Sequence, residues 1–391
     1  MKGIIYNEDP TEFFWVNRAE AMSGELVDTF VDGLAEAGVG ALFSCPNGMR
    51  VNVPCRSREV MWHGYDPTGP DDQPFFTDFP PERIKNMRSM LDSMIRLSEL
   101  GVDFHARALA RCRQRGMEGW ISVRMNDVHD VDLVNSPLLS TFWKQNPDFR
   151  RVPYRFTIWQ ERQLDYARPE VRQHYQSLIE EFLERYDLDG LELDFQRFSH
   201  HFRIGQELAG GEMLTGWLRE IRGLTQRAAQ RLGHPVRLAV RCSADPESAR
   251  LMGIDAVRWA REGLVDLVIP CPFWETSDFN MPMRLWRRLL DGTGVMLAGG
   301  LEILARPYAK ANMIYQTPET AAGAANAVLA GGADVVYLFN FFLDMPGQRT
   351  GVWTQAEANR VLRAMASLDT LAALPRRHLL TYRDTRAPGE A

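Results

Sequence analysis

The chain has 391 residues, 45% of them apolar and 25% charged, with a formal net charge of −6. This is the composition of a globular protein with an ample core, and it lacks the basic footprint of a nucleic-acid binder. No apolar run reaches the ~18 residues of a membrane span. The opening Met1–Ile5 is too short an apolar run for a signal peptide, so no membrane partner and a cytoplasmic location are expected.

Short apolar runs alternate with amphipathic stretches along the whole chain. GIIY (3–6) reads as the first strand, residues 21–37 as a helix ending before Gly38, and VGALFS (39–44) as the second strand. Residues 45–81 are rich in Pro, Gly and Asp and read as a long loop. Helices are expected over 82–100 and 104–115, the third strand over 120–125, and another long connection over 127–168. Pro169 suits the first position of a helix over 169–186, which leads to the fourth strand, LDGLELDF (188–195). The alternation continues with a helix over 207–231 and strand five over 236–241. A short helix over 254–262 and strand six over 265–270 follow, then a helix over 281–290 and strand seven over 295–300. Helix 318–330, strand eight over 334–341 and a closing helix over 355–373 complete the pattern.

Eight strand–helix units predict an α/β fold, a (β/α)8 TIM barrel, with long loops after strands 2 and 3. A single barrel is expected over residues 1–375 and a loose polar tail over 376–391. The alternative is an open doubly wound sheet, but no GxGxxG opens a helix after a strand.

The fourth strand carries acidic residues in an otherwise apolar run. In a barrel alternate side chains face inward, so Gly190, Glu192, Asp194 and Gln196 line the interior while Leu191, Leu193 and Phe195 pack outward. Asp194 is then nearest the C-terminal end, where barrel enzymes place their sites. Glu192 sits one layer below, placed to orient Asp194 or to pair with an arginine of a neighbouring strand. Asp189, of the other parity and near the strand start, reads as structural.

The segment LDYARPEVRQHYQSLIEEFLERYDLDGLELDFQRF (164–198) resembles the (β/α)8 glycosyl-hydrolase-like family ten. That family has a Leu-Asp, a Pro-Glu-Val-Arg helix start, and Tyr-Asp-x-Asp-Gly-Ile-x-Leu-Asp-Tyr-x-Arg-Tyr. Glu192 stands where the family often has His. The resemblance implies a barrel hydrolase with a carbohydrate partner.

Glycoside hydrolysis needs two carboxyl groups across the scissile bond. Asp194 is expected as nucleophile or base. The general acid is expected at Glu275, beside Trp274 in CPFWET, where an indole desolvates it, or at Glu302 in GGLEIL; Asp127 in RMNDVH is a further candidate. Asn7, Asn47, Arg124, Asn126, Arg241 and Asn340, with Glu192 and Trp274, form the expected substrate-binding rim, and Trp62, Tyr65, Trp143, Trp159, Phe198, Phe341 and Phe342 are candidate stacking surfaces. No cofactor or metal is expected, since the five cysteines (Cys45, Cys55, Cys112, Cys242, Cys271) are scattered and lack zinc spacing. Only four of the 45 basic residues are lysines, a skew that genome composition explains more readily than an anionic substrate does. Two other functions compete: a barrel that binds carbohydrate without cleaving it, in which one carboxylate is paired off, and a lyase or isomerase with a metal on Glu192 and Asp194.

Overall fold

The computed structural model describes residues 2–155, 157–273, 276–306, 308, 311–341 and 353–381. Eight parallel strands close into a barrel: β1 (Ile4–Glu8), β2 (Val39–Ser44), β3 (Glu118–Arg124), β4 (Gly190–Asp194), β5 (Arg237–Ser243), β6 (Leu267–Cys271), β7 (Met296–Glu302) and β8 (Val335–Phe339). Each pairs with its sequence neighbours and β8 closes onto β1, so the (β/α)8 expectation holds and the open sheet is excluded.

Strands β5 and β7 run past their expected ends at 241 and 300, to Ser243 and Glu302. Glu302 ends β7, Arg241 lies inside β5 and Arg124 ends β3, whereas Asn340 falls just beyond β8. The ladder depends on backbone groups, which continue pairing wherever the neighbour is present, whatever the side chain. The closing helix is two pieces, Gln355–Ala364 and Leu368–Ala372, because Ser367 caps the second and breaks the first. Helices Thr11–Val16 and Pro246–Leu251 were not foreseen; Asp245 caps the latter through the amides of Glu247 and Ser248. A two-residue ribbon, Leu304–Ala305 with Ile314–Tyr315, decorates the top of β7.

The start of the tail is not loose. The Arg377 amide donates to the Glu319 carbonyl, and Arg376 reaches Asn326, so the segment lies along helix Pro318–Ala330. The tail beyond Thr381 lies outside the described residues.

The lower half of the barrel interior is apolar. Phe43 stacks on Trp120 at 4.6 Å, and Ile5, Leu267, Ile269 and Val335 fill the remaining space. Trp120 fits because Gly190 faces it: a Cβ at 190 would lie 2.3 Å from the indole. A larger cluster packs the outward strand faces against the helices.

Candidate active site at the barrel mouth

Above this floor the interior turns polar. Arg124, Asp194 and Arg241 stand at one level of three consecutive strands, since Arg124 registers with Asp194 and Asp194 with Arg241. All three point inward by strand parity. The Arg241 Nε and Nη2 donate to Asp194 Oδ1 and Oδ2 at 2.9 and 3.0 Å, a bidentate pair. The Gln196 and Arg197 amides also donate to Oδ1, at 3.0 and 2.9 Å. Asp194 has 0% exposure. The Arg241 guanidinium lies 3.6 Å over the Phe339 ring; burial disfavours its charge, but Asp194 outweighs that and raises its pKa well above the ordinary value.

Glu192 lies one layer down and does not take the arginine. Its Oε1 accepts from the Tyr337 hydroxyl at 2.8 Å and its Oε2 from Asn7 Nδ2 at 3.2 Å. Burial first and the Asp194 charge second push its carboxyl up to about 7. Two carboxyls on one strand thus have different surroundings: one is clamped by a guanidinium, the other is held among neutral donors.

On the other flank of Asp194, Arg124 binds two acids. Its Nη2 meets Asp9 Oδ2 at 2.7 Å and its Nη1 meets Asp127 Oδ2 at 3.6 Å. Burial raises both acids, but Arg124 and Thr11 bring Asp9 below the usual carboxylate range, and His129 and Arg124 bring Asp127 well below it. Asp127 Oδ1 holds His129 Nδ1 at 2.7 Å, and His129 Nε2 meets Arg197 Nη2 at 2.7 Å. A guanidinium only donates, so Nε2 accepts and Nδ1 carries the proton. Arg197 spans the mouth near Phe198 and Phe339, and burial lowers it to about 10. Phe198 holds left-handed backbone, φ +66°, a strained state for an aromatic residue.

Glu302 ends β7 with 2% exposure. Ser277 Oγ both accepts from its amide and donates to its carbonyl, and its carboxyl faces the Arg197 charge. Glu275 and Trp274 lie outside the described residues, as does Phe342. Among the expected binding groups, Asn47 is occupied by the backbone of Arg124 and Gly48, and Asn126 by Leu164 and His200. Asn47 ties the loop after β2 to β3, and Asn126 ties the start of the loop after β3 to its end and to the segment after β4. Asn340 follows β8 with φ +47° and is half-buried. Trp143 and Phe341 are core residues, whereas Trp159 stacks on Phe273 at 5.6 Å and meets Phe198 edge-on at 5.1 Å, forming an aromatic wall at the rim.

Sequence reasoning missed Asp9, Arg197 and Tyr337. Asp9 sits in an Asp-Pro turn just past β1, and Tyr337 reads as an ordinary apolar strand residue. Arg197 is adjacent to the acidic strand, the one signal that pointed to it.

No family model matches the sequence, and no curated protein sequence matches it. Solved structures do. The glycoside hydrolase domain of PgaB (BpsB) from Bordetella bronchiseptica aligns at TM-score 0.51 and 10% identity, over 94% of this chain and 99% of that one. The likeness is one of fold. The noncanonic maltogenic alpha-amylase AmyB from Thermotoga neapolitana aligns at 0.44 and 11% identity, over 93% and 76%. GH5_18 from Streptomyces cattleya aligns at 0.45 and 13% identity, over 96% and 81%. These neighbours are glycoside hydrolases with TIM-barrel domains.

Proposed function

We propose that the chain is a glycoside hydrolase acting on an oligo- or polysaccharide, with Asp194 as nucleophile or base and a carboxyl from the β6 or β7 end, Glu275 or Glu302, as general acid. The observation that carries the reading is the Asp194–Arg241 pair at the C-terminal end of β4. A two-point guanidinium contact fixes the carboxylate plane, and positioning of this kind is what a displacement at a sugar carbon requires. Glu302 ends β7 beside Phe339 of β8, and its carboxyl faces a second buried arginine, Arg197. The fold shared with the PgaB glycoside hydrolase domain agrees with this assignment.

A second reading is a barrel that binds carbohydrate without cleaving it. It is favoured by the complete burial of Asp194 and the occupation of both its oxygens. A panel of aryl glycosides and natural oligosaccharides separates the two, run with Asp194→Asn, Glu275→Gln and Glu302→Gln. Cleavage by the parent that is lost in Asp194→Asn supports the hydrolase. Equal cleavage by parent and Asp194→Asn removes Asp194 from the chemistry, and a folded parent that binds sugars but cleaves none leaves the binding reading.

A further inference from the structure

Off the barrel axis, above the ends of β1, β2 and β3, lies a cavity of about 240 Å3. A cavity of this size takes a small polar ligand such as a sugar ring. Helix Pro81–Glu99 forms its outer wall and turns Arg83, Met87 and Met90 toward it, the spacing of one helical stripe. Met61, from the long loop after β2, adds to this apolar wall.

The floor is polar. Asp127 and Arg50 are 3% and 8% exposed, and both line the cavity. Among the described residues, Asp127 Oδ2 and Arg50 Nε have no hydrogen bond. The nearest acid to Arg50, Glu59, is 3.7 Å from Nε and gives its two oxygens to Thr141. Each has only a long ion-pair contact, Asp127 Oδ2 to Arg124 at 3.6 Å and Arg50 Nε to Glu59; a buried donor and a buried acceptor without hydrogen bonds are costly, and here they flank one cavity whose opposite wall is methionine.

We propose that this cavity binds a single sugar ring bearing a methyl-terminated substituent, an N-acetyl group or a 6-deoxy methyl. The methyl packs on Met61, Met87 and Met90, one ring hydroxyl donates to Asp127, and another oxygen accepts from Arg50. This rests on the carbohydrate reading above and names the substrate class. Methionine suits the role because its unbranched thioether conforms to an irregular apolar group.

The test titrates N-acetylglucosamine, L-fucose and glucose into the parent, Met90→Trp, the double variant Met87→Ala/Met90→Ala, and Asp194→Asn, by calorimetry. One of the two methyl-bearing sugars is expected to bind the parent about tenfold more tightly than glucose, and which one it is names the substituent. Met90→Trp fills the cavity and abolishes that binding. The double alanine variant, which adds no bulk, brings the preference over glucose close to unity, while Asp194→Asn binds as the parent does. Equal affinity for all three sugars, no binding of any, or parental binding by both methionine variants overturns the proposal. Aryl-glycoside cleavage measured on the same proteins keeps the two ideas apart. Cleavage with parental binding in the methionine variants removes this subsite and leaves the hydrolase standing. Binding that Met90→Trp abolishes, in a parent that cleaves nothing, does the reverse.

Discussion

Replacing Glu192 with Gln isolates the buried carboxyl below the catalytic layer. In the folded chain its pKa is raised from 4.5 to about 7, by burial first and by Asp194 second. A displacement of that size corresponds to about 3 kcal/mol. The folded state holds this proton more tightly than the unfolded chain does. The contribution is therefore fully present below pH 4.5, declines as pH rises, and is lost above about 7. Gln has nearly the same shape, keeps an acceptor for the Tyr337 hydroxyl, and does not titrate. The unfolding free energy of Glu192→Gln relative to the parent should thus rise by about 3 kcal/mol between pH 4.5 and pH 8. Urea denaturation followed by tryptophan fluorescence at several pH values measures it. Titrating groups remote from Glu192 act in both proteins and cancel in the difference. A difference that stays constant over this range would show that Glu192 does not hold its proton as the surrounding residues require.

Three further outcomes follow from the same geometry. Arg241→Met leaves Asp194 buried without its counter-ion and should cost about 3–5 kcal/mol in a urea melt; the loss should shrink sharply in an Asp194→Asn background, and an equal loss in both would refute the pairing. Gly190→Ala places a methyl against the Trp120 indole and should cost at least about 1–3 kcal/mol, so a melting temperature equal to the parent's would contradict the packing of the barrel floor. His105 is buried between Ser44 and Asn52, and desolvation lowers it to about 4. Its ring signals in an NMR titration should therefore stay constant from pH 8 down to about 5, and a midpoint near 6.5 would refute that environment.

The barrel was legible because each strand leaves its own mark: an apolar run short enough for a strand, with a helical period after it. Strand parity alone turned Asp194 and Glu192 inward. What parity could not supply was the partner across the sheet. The sequence allows Glu192 an arginine, yet the register brings Arg241 level with Asp194 and leaves Glu192 to Tyr337 and Asn7. Register is decided by the closure of all eight strands together, which no single segment contains. The cavity was hidden for a similar reason. Its wall is a stripe on helix Pro81–Glu99 and its floor comes from two long loops, and the path of a loop leaves no period to read. Asn47 and Asn126 look like sugar-binding groups in the sequence, but here their amides fasten the long loops in place.

The charged layer stands on the strands themselves. Arg124, Asp194 and Arg241 take their spacing from three hydrogen-bonded neighbours, so their relative positions inherit the stiffness of the sheet. The cavity, by contrast, takes its methionine wall and Arg50 from the loop after β2 and the helix that follows it, over a floor that Arg124 and Asp127 complete. The molecule is therefore separable by design: exchanging the segment from the end of β2 through that helix would change which ligand is admitted, while the carboxylate–guanidinium spacing beneath stayed as the barrel sets it.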